Sequence, residues 1–362
     1  MNIYEHPLYQ EDVKRVAELE LPWEKLANAG IAISGATGLL GSFLVDVLLW
    51  RNLYWGQKCH ILALGRHAQY AKSRFSYGGH SPFFTFISRD MNEPLGLDSV
   101  GDIDYVLHLA SHTHPVAYAT DPIGTITTNI IGLKNMLDFS VKHHAKRFAF
   151  ASSNEIYGEN RGDQELFEEA YCGYIDCNTV RAGYPESKRC GEALCQAYLQ
   201  QKGLDVVIPR FTRSYGPTML KNDSKAISQF IKKAVAGEDI VLKSEGNQYY
   251  SYTHVSDAIA GLLTVILLGK TGEAYNIASP EFDIRLKEAA AILAKIANTK
   301  VVFELPDEVE KSGYSKATKA RLNGEKIKSL GWNPRYDMET GLKKTVLILR
   351  SQSDKEGVAY GR

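Results

Sequence analysis

No apolar run in this 362-residue sequence is long enough to cross a bilayer. A spanning helix needs roughly 20 such residues, and the longest stretch, around Ile259 to Leu268, falls well short. Charge of one sign is equally scarce. Lys+Arg and Asp+Glu both total 42, with no basic tail or cluster, which argues against a nucleic-acid partner. Cysteine is sparse and odd in number, five in all. Cys172/Cys177 and Cys190/Cys195 lack the C-x-x-C spacing of zinc sites, and His143-His144 has no partner pattern. Free thiols in a reducing compartment are therefore expected. His112 and His114 share a loop, but two histidines alone do not make a metal site, and none is expected. The first residues carry charges and no apolar core of signal-peptide type, so a cytoplasmic chain off the membrane is expected. Internal repeats and low-complexity linkers are also missing.

What is present is alternation. Ile31–Ser34, His60–Leu64, Phe84–Ser88, Tyr105–Ala110, Arg147–Ser153 and Val206–Phe211 read as strands, most of them near-continuous apolar runs, as in strands covered on both faces. Helical patterns fall between them, at Ser42–Trp50, about Thr125–Lys142 and about Tyr184–Lys202. The alternation predicts an α/β fold: a Rossmann-type doubly wound parallel sheet. Beyond about Gly216 the pattern loosens. Ser224–Ala236, Ser256–Leu268 and Ile284–Ala297 look helical and Ala274–Ala278 extended, which predicts a smaller mixed α/β lobe. The expected division is a helical extension over 1–29, a dinucleotide-binding domain over 30–215, a mainly substrate-binding lobe over 216–350 interleaved with it, and a tail over 351–362.

The sharpest local signal is the strand Ile31–Ser34 running into Gly35, Gly38 and Gly41, with a helix following. Glycines permit the tight turn and let a pyrophosphate approach the helix N-terminus, where free N–H groups favour anions. Gly35, Thr37, Gly38, Leu39, Leu40 and Gly41 are the candidate cradle. An acidic residue ending the second strand would accept ribose hydroxyls. Here the strand ends Leu64-Gly65-Arg66, so NAD or NADP is expected, with Arg66 favouring the 2′-phosphate of NADP. Asp90, closing the third strand, is placed to accept from the adenine amino group.

Tyr184-Pro-Glu-Ser-Lys188 opens a helix, and i, i+4 spacing puts phenol and amine on one face. A lysine ammonium beside a phenol lowers its pKa, making tyrosinate accessible. Ser153, at the end of the fifth strand, can hydrogen-bond the same substrate oxygen. Together they can remove a hydroxyl proton while hydride leaves the carbon.

At this point the chain resembles the extended short-chain dehydrogenase/reductase family, the nucleotide-sugar epimerases and dehydratases, over roughly Gly30 to Thr345. Arg210-Phe-Thr-Arg213-Ser-Tyr-Gly-Pro217 and Leu330-Gly-Trp-Asn-Pro334 carry the likeness onward. Asp90-Met-Asn-Glu-Pro-Leu95, His108-Leu-Ala-Ser111, Asp121-Pro-Ile-Gly-Thr125 through Asn129, Arg181-Ala-Gly-Tyr184 and Lys221-Asn-Asp223 resemble the UDP-glucuronate decarboxylases in particular. The resemblance implies that Met91, Leu109, Ala110, Ser111 and Asn129 also face the cofactor, beside Tyr184 and Lys188. It puts His112, Ser153, Asn154, Arg213, Lys221 and Tyr250 on the substrate, a UDP- or dTDP-linked sugar. It makes Ser153, Glu155, Tyr184 and Lys188 catalytic, with Glu155 working near C5 and C6 of the sugar. It further implies a homodimer formed through the Tyr-x-x-x-Lys helix, and polysaccharide supply as the setting.

Three positions depart from the pattern. Tyr249-Tyr250 stands where the decarboxylases carry an arginine. Arg213 replaces an asparagine, and could supply the missing cation. Asn154-Glu155 replaces the Asp-Glu pair of the 4,6-dehydratases, and an amide cannot expel a hydroxyl as a general acid. The expected activity is oxidation at C4 followed by decarboxylase- or dehydratase-like chemistry. The alternatives are a 4-epimerase and a non-catalytic dinucleotide-binding regulator.

Overall fold

The computed structural model describes residues 3–79, 81–113, 115–160, 162–304 and 318–356. The first half runs α1 (Pro7–Ala17), β1 (Gly30–Ser34), α2 (Leu39–Trp55), β2 (His60–Gly65), α3 (Ala68–Arg74), β3 (Phe84–Ser88), β4 (Tyr105–His108), α4 (Pro115–Thr120), α5 (Pro122–Thr127), α6 (Leu133–Lys142), β5 (Arg147–Phe150), β6 (Ser152–Ser153), α7 (Gly183–Lys202) and β7 (Val206–Phe211). The second half runs β8 (Arg213–Tyr215), α8 (Ala226–Ala236), β9 (Ile240–Leu242), β10 (Tyr249–His254), α9 (Val255–Leu268), β11 (Ala274–Ile277), β12 (Asp283–Arg285), α10 (Leu286–Ala297), β13 (Val301–Phe303) and β14 (Lys319–Ala320), ending in a helix over Met338–Glu356.

The main sheet has the order β11-β7-β5-β4-β1-β2-β3, with β6 continuing beside β7, and every pairing is parallel. The chain steps outward from β1 to β3 and then returns to the other side of β1 as β4. That reversal opens a crevice at the carboxyl ends of β1 and β4, where open α/β sheets bind ligands. The β1 and β4 side chains are buried throughout, in keeping with the apolar runs. A second sheet, β12-β10-β14 with β8 beside β10, builds the smaller lobe.

Three elements differ from the sequence reading: β11, the start of α10 and the helix expected over 125–142. β11, expected in the smaller lobe, closes the main sheet beside β7. The same lobe's α9 is buried over Val255–Leu267 and packs on α1, α2 and β7, so the two lobes share elements. Ile284 belongs to β12, where it pairs opposite Tyr250, and α10 starts only at Leu286. The long helix expected over 125–142 is broken by a π-helical turn at Thr128–Gly132, a bulge of the kind common at functional sites. The expected tail is helical to Glu356, with 357–362 outside the described residues.

The expected N-terminal extension holds α1 and two short turns. It is fixed by buried charges. Asp12 accepts from Lys344 at 2.9 Å, Arg15 donates to Asp257 at 2.8 Å, and Tyr9 donates to Asp46.

Candidate active site

The glycine loop is shaped by close backbone approach. Gly35 has φ +70°, and a Cβ there would sit 2.7 Å from the Ala110 nitrogen; at Gly41 it would sit 2.2 Å from the Gly35 carbonyl oxygen. Gly38 is the N-cap of α2 and supplies no side-chain cap, so the first-turn N–H groups at Leu39, Leu40 and Gly41 remain available to a ligand. These features fit a dinucleotide diphosphate. Thr37 lies against the end of β2, with its Oγ1 3.4 Å from the position of a Cβ on Gly65. Arg66 is exposed just beyond.

Arg66 and Asp90 both act electrostatically on His112, which gathers these three expected residues at one end of the crevice. Burial, then Arg66, holds the His112 pKa below its usual value against Asp121 and Asp90. His112 is therefore neutral at pH 7, and its 3.6 Å approach to Asp121 is not an ion pair there. Met91 is buried beneath Gly132. His114 lies outside the described residues. No group of three or more metal-capable side chains occurs among the described residues.

The catalytic candidates converge where the sheet is irregular. The strand expected over Arg147–Ser153 breaks at Ala151, whose N–H goes to the His108 carbonyl. Its own carbonyl accepts the Lys188 ammonium at 2.8 Å. Lys188 lies 4.7 Å from the Phe150 ring centre and 5.9 Å from that of Tyr184. Burial lowers its pKa to about 7, opposed by Glu192. For Tyr184, burial drives the phenol up to about 12, while hydrogen bonding to Ser153, the charge of Arg181 and hydrogen bonding to Ser111 pull the other way. The expected depression of the phenol by Lys188 is not what sets its pKa in this geometry, where burial dominates and Ser153, Arg181 and Ser111 are the groups that lower it. Ser111 donates to Asn129 at 2.8 Å, Asn129 donates to Ser187 at 2.9 Å, and Ser187 donates to the Tyr184 carbonyl at 2.8 Å. The π-helical turn carries Asn129 into this chain of bonds.

Beside Tyr184 opens a cleft lined by Asn154, Glu155, Arg181, Pro185 and Arg213 among others. Glu155 is ion-paired with Arg181 at 2.6 Å and with Arg213 at 3.8 Å. Burial raises its pKa, but Arg181 and then Arg213 outweigh that and hold it below the usual carboxylate range. The Arg213 guanidinium lies 3.5 Å over the Tyr250 ring. Lys221 is exposed on the loop between β8 and α8, apart from the residues lining this cleft. Two participants were missed in the sequence. Arg181 stood inside a matched motif, three residues before Tyr184, which was the available signal. Tyr118 stacks on Tyr184 at 4.8 Å, and nothing in its sequence surroundings marks it.

Fold and site together define a dinucleotide-binding enzyme of the Rossmann type. The sequence profile of the NAD dependent epimerase/dehydratase family matches residues 31–278. UDP-glucuronic acid decarboxylase 6 of Arabidopsis thaliana is 32% identical over 321 residues, covering 87% of each chain. UDP-glucuronic acid decarboxylase 1 of Danio rerio is 31% identical, covering 87% of this chain and 71% of that protein. Among solved structures, dTDP-glucose 4,6-dehydratase from Streptomyces venezuelae superposes with a TM-score of 0.77 at 23% identity, covering 90% of this chain and 98% of that one. UDP-glucuronic acid 4-epimerase from Bacillus cereus gives 0.76 at 21% identity, over 89% and 99%. Those two likenesses speak for the fold. The chain belongs to the NAD dependent epimerase/dehydratase family.

Proposed function

We propose that this chain oxidises the C4 hydroxyl of a nucleotide-linked sugar at Ser153, Tyr184 and Lys188. The observation that carries this reading is the buried Tyr184 phenol, close enough to Ser153 and Ser111 for both to bear on its ionisation, on the same helix as the buried Lys188. Gly35 to Gly41 would hold the diphosphate of a nicotinamide dinucleotide, with Asp90 toward its adenine and Ser111, Asn129 and Lys188 toward its nicotinamide end. Bound in its oxidised form, that dinucleotide would accept hydride from C4. Tyr184 takes the C4 hydroxyl proton, and Ser153 holds the same oxygen. With the phenol near 12 and the amine near 7, the phenol is protonated at neutral pH and the amine about half so, and positive charge brought near the phenol favours tyrosinate.

A 4-keto group stabilises a carbanion at C5, so loss of a C6 carboxylate can follow, whereas return of hydride to the other face of the C4 carbonyl would invert C4. Dehydration is the least supported outcome, because Asn154 has no acidic proton and Glu155 is held ionised. The relatives' names make a UDP-uronate the first substrate to try. A 4-epimerase is the second reading, favoured by the pairing of Glu155 with Arg181, which suits a structural acceptor. Arg66 supports NADP over NAD. The lobe of β8, β10, β12 and β14 supplies the substrate side. A second copy of the chain would cover Ile123, Ile131 and Val180, exposed on α5, the π-helical turn and the approach to α7. The five free cysteines suit a cytoplasmic setting.

The test is incubation with UDP-glucuronate and NAD or NADP, following the mass of the nucleotide sugar. Loss of the mass of carbon dioxide supports a decarboxylase, and unchanged mass with inverted C4 supports an epimerase. No change with UDP-glucuronate or with UDP-glucose contradicts the reading.

A further inference from the structure

Two arginines converge on one carboxylate in the cleft beside Tyr184, and the two contacts are unequal. Arg181 makes a 2.6 Å charge-assisted bond to Glu155 Oε2 and lies 4.9 Å from the Tyr118 ring centre, although its Nε is buried without a partner among the described residues. Arg213 reaches Glu155 Oε1 only at 3.8 Å, beyond hydrogen-bond range. Its Nη1 is buried with no hydrogen-bond partner among the described residues. A buried guanidinium with a bare N–H is costly unless something accepts from it.

Position restricts what that acceptor can be. Arg213 opens β8 opposite Tyr252 of β10. Its guanidinium carbon lies 3.5 Å from the ring centre of Tyr250, two residues along the same face. Arg213 lines the cleft that also holds Glu155. The planar N–H edge of a guanidinium matches a carboxylate better than a hydroxyl. Glu159 and Asp176 line the same cleft, so selection there rests on direct contact with arginine and not on a positive field.

We propose that Arg213, stacked on Tyr250 and only loosely paired with Glu155, is the specificity residue that selects a sugar bearing a carboxylate over a neutral hexose. Arg181 is the positioning residue that anchors Glu155, and Glu155 sets how much of the Arg213 charge is available to the sugar. This rests on the nucleotide-sugar reading above and deepens it.

The test measures equilibrium binding of UDP-glucuronate and UDP-glucose to the full chain, with NAD present throughout. A charge-assisted contact corresponds to a preference of roughly ten- to hundred-fold. The wild type is expected to prefer UDP-glucuronate by that factor, Arg213→Gln to bring the ratio near one, and Glu155→Gln to raise it. Opposite movement of the ratio in these two variants is not produced by a general loosening of the site. Arg213→Lys, which keeps the charge, is expected to retain part of the preference. Should Arg213→Gln fail to fold, the wild-type ratio and the Glu155→Gln shift decide. Equal affinity for the two sugars in the wild type, or a Glu155→Gln ratio that falls or stays level, overturns this inference and leaves the nucleotide-sugar reading standing. Binding of neither sugar overturns both.

Discussion

The Arg213 guanidinium lies 3.5 Å above the centre of the Tyr250 ring. Both residues are among the substrate contacts expected from the sequence, and here they touch each other. A cation on an aromatic face contributes about 0.5–2 kcal/mol. Tyr250→Leu should therefore free Arg213 to move and weaken UDP-glucuronate binding by roughly two- to thirty-fold. Isothermal titration checks this, and unchanged affinity would remove the stack from the account.

Tyr184 is expected to be indispensable to turnover and dispensable to dinucleotide binding. A positioned acid–base group contributes roughly 10²–10⁴-fold, so Tyr184→Phe should lose at least that much in kcat. Dinucleotide titration of the same variant should still show binding, weakened at most by one hydroxyl contact, about 1 kcal/mol. A variant that turns over normally would remove Tyr184 from the chemistry.

Lys188 makes stability depend on pH. Its amine titrates near 7 in the fold and near 10.4 when unfolded. Between those values the unfolded chain binds the extra proton, so stability rises with pH across the window and is lost as pH falls through 7. Lys188→Met should flatten that rise. Urea unfolding at pH 7 and pH 9 measures it, and identical slopes for both proteins would contradict the buried-amine picture.

Gly41 tests the cradle. The added methyl of Gly41→Ala would lie 2.2 Å from the Gly35 carbonyl oxygen, so the loop must shift, at a cost on the order of 1–3 kcal/mol. Both the melting temperature and the dinucleotide affinity should fall. Loss of stability with full affinity would show that the loop does not hold the cofactor.

Arg15 tests the N-terminal helix. Its partner Asp257 has a fully buried side chain and also accepts backbone N–H groups from Arg335 and Tyr336. Removing one member of a buried pair costs about 3–5 kcal/mol, and the backbone donors place Arg15→Ala at the low end. Urea denaturation gives the value.

The parts legible in the sequence were those set by local pattern. Phe84–Ser88 and Val206–Phe211 match the observed strands residue for residue, because apolar runs between turns have few other solutions. The glycine loop and the Tyr184/Lys188 face were equally plain. The break at Ala151 was not legible, because Lys188 interrupts the ladder from a distant helix. Nor was the π-helical turn at Asn129, whose bonds run to Ser111 and Ser187. Tyr275 and Ile277 look like lobe residues in the sequence, and only tertiary pairing with β7 puts them in the main sheet. Arg181 was visible as a motif residue, but its partner Glu155 lies 26 positions away.

The most direct test of C4 oxidation is turnover of UDP-glucuronate deuterated at C4. The account predicts a slowed rate if hydride transfer limits turnover, and deuterium on the reduced dinucleotide trapped by quenching the wild type within a single turnover, before hydride returns to the sugar, and none with Tyr184→Phe. Product formed with no deuterated reduced dinucleotide at any point of the single-turnover time course would contradict it.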